Sequence, residues 1–327
     1  MIMSATPRGV CGRPRLLLTA LRENPTLIAG RRLAQLHPPR TFEIVVQSGS
    51  PDIVLHMESG YVGLMDLPRL FKQVGAHRQA RHFLFSESDW PYAVLAGAYP
   101  SLTKGLPWAY SWSYLPTPSR FGGEIHPPSA DRAHLFSFLG RTDTHWARRQ
   151  LLALDSPDTP CLSIADAPSR FANFDYTRTY LELIARSRFA LCPRGFGASS
   201  IRLFEAMALG CAPVIISDAW QPPPGIAWPE FSVVVSEGEV MRIPQILSGL
   251  QKDADKMGRR AREVFEQNFA PEVFFDRLLG LLLAQRTKTD TVGTIASCAW
   301  HALGWREFYS IGHLAKSRLG SALRRAS

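Results

Sequence analysis

The sequence predicts an α/β protein of two lobes, the second a doubly wound parallel sheet. Three observations carry this expectation. The 327 residues exceed what one ordinary core needs and suit two. From His134 onward, strand-like and helix-like stretches alternate for about 150 residues, the pattern of a parallel sheet covered by helices. Between the halves lies "YPSLTKGLPWAYSWSYLPTPSRFGGEIHPPSADR", rich in Pro and aromatic residues and without periodicity; long stretches of this kind are functional or inter-domain. The boundary falls near Ala133, giving a first lobe over 1–132, a second over 133–285 and a basic tail over 286–327.

In the first lobe, "FEIVV" from Phe42, "PDIVLH" from Pro51 and Phe83-Leu84-Phe85 read as strands. In the second, "HLFSFLGR" from His134 is a strand ending in Gly140-Arg141, and "TDTHWARRQLLAL" is a helix with Asp143 or Thr144 as cap. "FDYTRTYLELIARS" is a helix and "RFALCPRG" a strand. Next comes a glycine turn, a short helix capped by Ser199 or Ser200 and stopped at Gly210, and the β-branched run Val214-Ile215-Ile216 of a buried strand. "FSVVVSE", "EVMRIPQILSGL" and one long helical stretch from Asp253 follow.

Composition narrows the class. With 46% hydrophobic and 20% charged residues the chain is globular. No stretch approaches the roughly 20 apolar residues of a membrane span, and Leu16-Leu17-Leu18 is too short for a signal peptide. Five scattered cysteines without CxxC or Cys/His spacing predict reduced thiols, no zinc and a cytoplasmic setting. The net charge of +9 calls for anionic partners, but no RNA-binding or zinc-finger pattern points to nucleic acid. From Arg286 the tail carries seven basic residues against Asp290 and Glu307. It reads either as a basic amphipathic helix on the inner face of an anionic membrane or as a solvated tail.

Ligands of open α/β sheets bind outside the carboxyl ends of the strands. Here those ends carry Gly140-Arg141, Pro193-Arg194-Gly195 and Ser217-Asp218. The turn after Arg194 leads through Ser199 and Ser200 into a helix whose N-terminal amides favour an anion. With Arg141 and Arg194 the site suits a diphosphate. Arg202 and Glu205 stand on the next turn of an otherwise apolar helix: Arg202 near the phosphates, Glu205 placed to accept from two ribose hydroxyls. The bland alternative is a local Arg202–Glu205 ion pair on a solvated face, worth about 0.2–0.5 kcal/mol.

These residues resemble the exostosin family of glycosyltransferases. The resemblance runs through Pro193-Arg194-Gly195, Ser200, Arg202, Glu205-Ala206, Gly210-Cys211-Ala212-Pro213-Val214 and Asp218 with Trp220 and Trp228, and through "SFLGR" at 137–141. It is specific over residues 134 to 270 and weak over the first 130. It implies the GT-B arrangement, two Rossmann-like domains facing across a cleft, with a UDP-sugar in the second domain and transfer with inversion. By the same resemblance Arg141, Arg194 and Arg202 surround the diphosphate, Glu205 holds the ribose, and the partners are a nucleotide-sugar and a glycan acceptor. Inversion needs a base from the first lobe. Glu87 and Asp89 in "SESDWP", just after a strand, are the candidates, against an ordinary acidic loop. His56, His82 and His126 are further first-lobe candidates without a partner pattern.

Other readings remain open on the residues. Gly195-x-Gly197-x-x-Ser200 nearly spells a dinucleotide fingerprint, with Asp218 as its ribose acid, which would make an NAD-dependent oxidoreductase. Ser200 in the third glycine position and the two arginines speak against it. A retaining GT-B enzyme would carry a second glutamate eight residues before Glu205, and none stands there; a catalytically inactive sugar-nucleotide-binding subunit is the third alternative. Asp253-Ala254-Asp255 mimics a DxD metal motif but sits among lysines on a polar helix face. No metal and no cofactor beyond the nucleotide-sugar is expected. Trp220 and Trp228 flank three prolines and either wall a ligand or pack the lobe interface.

Overall fold

The computed structural model describes residues 12–45, 50–91, 93–103, 108–117, 132–171 and 175–284. His126 and the basic tail lie outside them. The first lobe is built from β1 (Arg15–Thr19), α1 (Pro25–Leu36), β2 (Glu43–Val45), β3 (Ile53–Glu58), α2 (Leu67–Ala76), β4 (Arg81–Ser86), β5 (Gly97–Ala98) and β6 (Ala109–Tyr110). They form one sheet in the order β2-β1-β3-β4-β5-β6, with every pairing parallel. The Leu16–Leu18 run is thus an inner strand, buried and paired on both sides. Such runs need cover on both faces, which α1 begins to provide: Asn24 caps it, its side chain accepting the Leu27 N–H, and Leu27, Leu33 and Ala34 face inward.

The second lobe comprises β7 (His134–Gly140), α3 (Trp146–Leu151), β8 (Cys161–Ser163), α4 (Ala167–Arg170), α5 (Tyr176–Ala185), β9 (Ser187–Pro193), α6 (Ile201–Ala208), β10 (Ala212–Ile216), β11 (Val233–Val235), α7 (Ile243–Leu250), α8 (Ala254–Asn268) and α9 (Phe274–Ala284). Its sheet runs β11-β10-β9-β7-β8, again all parallel. Two such α/β lobes make the GT-B arrangement that the sequence leads one to expect. The caps differ in detail from that expectation. His145, not Asp143 or Thr144, caps α3, its Nδ1 taking the Ala147 N–H at 3.3 Å. Ser200 has the extended backbone of a cap but makes no side-chain capping bond. The long helical stretch from Asp253 is two helices, α8 and α9.

The lobes share one apolar core. Trp112 of the first lobe meets Phe269 edge-on at 5.1 Å between ring centroids, and Tyr114 meets Phe204 at 6.2 Å. Trp220 is buried between the lobes, its Nε1 donating to Pro100 O at 3.1 Å, while Trp228 turns inward on Pro223 O at 3.0 Å. Both tryptophans are therefore packing residues. Asp253 and Asp255 stay at the surface, Asp255 at 3.5 Å from Arg132.

The last described helix, α9, returns to the first lobe. Phe274 packs edge-on against Phe85 at 5.7 Å, and Asp276 accepts the backbone N–H of Arg40 at 2.8 Å and of Thr41 at 3.0 Å, together with the Thr41 hydroxyl. Partial burial works to raise the Asp276 pKa, but these donors outweigh it and the net shift is downward. The carboxylate therefore stabilises the fold above the ordinary aspartate pKa of about 3.9, and that contribution disappears as pH falls through the lower folded value. Asp276→Ala should cost about 1 kcal/mol in urea unfolding at pH 7, allowing for its solvent exposure. The gap to wild type should close in acid, once the carboxyl is protonated in the folded and unfolded states alike. An equal gap at both pH values would show that the loss is packing and not charge.

Candidate active site

The carboxyl ends of β7 and β8 meet α5, α6 and Arg148 of α3 around a cavity of about 450 Å³. Of the residues expected at a donor site, Arg141, Ser200, Arg202 and Glu205 line it. Arg194, Gly195 and Ser199 do not line it; their turn meets the first lobe at Gly197, beside Ser101 and Asp89.

Arg202 is the centre of this geometry. It is only 5% exposed, and its guanidinium sits between two rings, 4.6 Å from the centroid of Phe138 and 5.2 Å from that of Tyr180. One nitrogen donates to Leu139 O at 2.5 Å, and Nε and Nη1 have no partner. A Cβ on Gly140 would lie 2.8 Å from Arg202 Nη2, so glycine there lets the guanidinium reach the strand end. Glu205, three residues on, is equally buried and accepts a short hydrogen bond from the Tyr180 hydroxyl. Burial first, then the neighbouring Glu205 carboxylate, drives the Tyr180 phenol pKa far up, so it remains a donor. The Arg202–Glu205 pair is no solvated face.

Arg148 of α3 was not legible as a site residue, yet it holds the strand ends together. Its guanidinium donates to Arg194 O at 2.8 Å, Pro193 O at 3.1 Å and Arg141 O at 3.2 Å. Burial, then the nearby Arg202, lowers its pKa to about 10, still well charged at neutrality. Arg141 itself is exposed and forks onto Asp143 at 2.7 and 3.0 Å. Such a surface pair is worth little, which leaves Arg141 free to re-aim.

Arg194 has its Nη1 3.6 Å from Glu237 and its Nε buried without a partner. Glu237 also lies 3.6 Å from His145 Nε2. Its position is fixed by a reciprocal exchange with Asp218: Asp218 N donates to Glu237 Oε1 at 3.1 Å, and Glu237 N to Asp218 Oδ1 at 3.2 Å. Asp218 is thereby tied to Glu237, on its own lobe. Thr144 Oγ1 and Ser217 Oγ, near the same strand ends, are also buried without partners.

The first lobe supplies the opposite wall. Asp89 keeps a solvent-facing surface, but the packing around its carboxyl raises its pKa, opposed by the Gly197 amide and by Arg148 and Arg194. A Cβ on Gly197 would come within 2.4 Å of Ser101 Oγ and 2.8 Å of Asp89 O, so the lobes touch at a glycine. Tyr114 stands beside it. Burial pushes its phenol up to about 12, and the Ser101 and Ser199 hydroxyls work the other way. Glu87 is turned inward instead: its carboxylate accepts the Leu115 N–H at 2.8 Å and the Thr26 hydroxyl at 2.9 Å.

His56 and His82 are buried against each other, Nε2 to Nδ1 at 3.1 Å, with Gln73 and His77 O on the outer nitrogens. Burial, then the neighbouring His82, lowers His56 to about 3; neither imidazole faces the cleft residues. Among the described residues no cluster of three or more His, Cys, Asp or Glu side chains could hold a metal ion, and no helix is long and apolar enough to cross a membrane.

Arg148→Ala should destabilise the second lobe by about 1.5–3 kcal/mol in urea unfolding, the scale for hydrogen bonds to a charged donor. Arg148→Lys should recover little, because an ammonium cannot fork onto three carbonyls. Full rescue by lysine would reduce Arg148 to a point charge.

Comparison with known proteins places the chain. The Exostosin GT47 domain matches residues 75–250, more than half of the sequence. An Exostosin-1 homolog of Caenorhabditis elegans is 38% identical over 98 residues, 29% of this chain and 26% of that protein. The probable glucuronoxylan glucuronosyltransferase IRX7 of Arabidopsis thaliana is 46% identical over 70 residues, 21% and 16% of the two chains. The chain thus spans about a quarter or less of these relatives. Among solved structures, TarM is similar with a TM-score of 0.43 at 11% identity, over 80% of this chain and 59% of that one. By the domain match over 75–250, and in accord with the residues gathered around Arg202, the chain belongs to the exostosin GT47 family of glycosyltransferases.

Proposed function

We propose that the chain transfers a sugar, with inversion, from a UDP-sugar held by the second lobe to a hydroxyl of a glycan acceptor in the cleft. What supports this most is the set of buried donors left without partners at one sheet edge: Arg202 Nε and Nη1, Arg194 Nε, Thr144 Oγ1 and Ser217 Oγ. Buried polar groups are ordinarily satisfied, so a cluster of orphans at the carboxyl ends of parallel strands marks a place a polar ligand completes. Arginines and the amides opening α6 suit a diphosphate. Glu205, on the cavity wall one turn further, suits ribose hydroxyls.

The chemistry follows from that placement. The acceptor oxygen attacks the anomeric carbon as the carbon–phosphate oxygen bond breaks. The acceptor proton goes to a first-lobe base, and the leaving diphosphate's charge is met by Arg141, Arg194 and the turn amides. Of the two candidate bases, Asp89 stands at the cleft, whereas Glu87 is engaged by Thr26 and Leu115 and serves better to shape the loop. No metal is assigned a role. Glycan assembly on the inner side of a membrane, with the basic tail as a contact, belongs to the same proposal, though that tail lies outside the described residues.

Glu205→Ala should weaken UDP by about 1.5–3 kcal/mol and abolish discrimination between UDP and 2′-deoxy-UDP in calorimetry. Less than about a threefold loss, well below one such bond, would remove Glu205 from the ribose.

A further inference from the structure

We propose that Glu237 is a positioning residue for the donor: its carboxylate holds the Arg194 guanidinium at the end of β9, aimed before a nucleotide-sugar arrives. This rests on the reading of Arg194 as a diphosphate ligand. The strand order β11-β10-β9-β7-β8 supplies the geometry. The cavity around Arg202 takes in the ends of β7 and β8, while β9, β10 and β11 end side by side next to it. Arg194, Asp218 and Glu237 follow those three ends directly. The Arg194 N–H donates to Ile216 O at 3.0 Å, which ties the first end to the second.

Glu237 is buried, and both of its carboxylate oxygens are engaged. Oε1 accepts the Asp218 N–H at 3.1 Å and lies 3.6 Å from Arg194 Nη1; Oε2 lies 3.6 Å from His145 Nε2. The backbone beneath the carboxylate is fixed as well, because the Glu237 N–H donates to Asp218 Oδ1 at 3.2 Å. His145 supports the same arrangement. Burial, then Arg194, lowers its pKa and keeps the ring neutral. Its Nδ1 accepts the Ala147 N–H at 3.3 Å, so the ring proton sits on Nε2, the nitrogen turned toward Glu237.

The guanidinium is thereby held at two nitrogens and free at the third. Arg194 Nη1 faces Glu237, Nη2 donates to Phe196 O at 3.3 Å, and Nε is buried without a partner. A long side chain fixed in advance loses less freedom when a ligand binds, so the pairing favours the diphosphate through Arg194. As a bare charge, Glu237 would do the opposite and repel an anion. The two roles predict opposite signs when the charge is removed.

Glu237→Gln keeps an oxygen for the Asp218 N–H and removes the charge that holds Arg194. Titrated as full chains by calorimetry, this variant should bind UDP and inorganic pyrophosphate about three- to tenfold more weakly than wild type. UMP, which lacks the second phosphate, should change little. Glu237→Asp, which keeps the charge but withdraws it by one methylene, should show the same bias of UDP over UMP, so the test does not depend on one variant folding. In an Arg194→Ala background Glu237→Gln should weaken UDP no further, because a residue that acts through another is silent once the other is gone. Tighter binding by Glu237→Gln would make the residue a repelling charge, and unchanged binding a bystander. Equal losses for UDP and UMP, or a further loss without Arg194, would make it a support of the fold. Each of these results overturns the proposal while leaving the diphosphate site standing. If Arg194→Ala alone leaves UDP binding unchanged, or wild type binds neither UDP nor pyrophosphate, the reading of Arg194 as a diphosphate ligand falls, and this inference with it.

Discussion

A guanidinium buried between two aromatic rings is the constraint around which the second lobe is organised. Removing such a charge from water costs several kcal/mol unless neighbours compensate. Around Arg202 the compensation comes from the faces of Phe138 and Tyr180, the Leu139 carbonyl and the nearby Glu205. They come from three parts of the lobe. Phe138 and Leu139 end β7, Tyr180 is on α5, and Glu205 shares α6. Gly140 keeps the approach open. The charge thus ties strand end, helix and helix into one unit, and its two unpartnered nitrogens leave that unit incomplete without a ligand.

The second organising feature is contact between lobes that share a core yet meet polar groups at the cleft. Trp112, Phe269, Phe204 and Tyr114 make a continuous apolar join, and α9 fastens the second lobe's chain back onto the first through Asp276. At the cleft the join narrows to Gly197 against Asp89 and Ser101. The candidate site lies where the apolar join ends, with cationic groups on one lobe and a carboxylate on the other.

Much of this was legible in the sequence, and the gaps have physical reasons. The alternation of strands and helices after His134 is strong because both faces of a parallel sheet are covered, giving apolar runs that periodicity detects. Leu16–Leu18 carries the same signal, but three residues near a terminus do not by themselves announce an inner strand. Arg202 and Glu205 stood out as charges in an apolar helix. Arg148 did not, since on α3 it is one of two adjacent arginines, and only the fold brings it to three carbonyls contributed by two strand ends. Glu237 was silent for the same reason: its partners Asp218, Arg194 and His145 come from three other segments. Residue type makes His56 and His82 look like bases, whereas burial commits them to each other.

The central claim is that UDP completes the polar edge around Arg202. Hydrogen–deuterium exchange with and without UDP tests it most directly, because it locates a ligand without assuming the sugar or the acceptor. The account predicts slowed exchange confined to residues 140–148, 176–180 and 194–205, where the strand ends, α5 and α6 surround the cavity. Slowed exchange elsewhere, or none at saturating UDP, would contradict it.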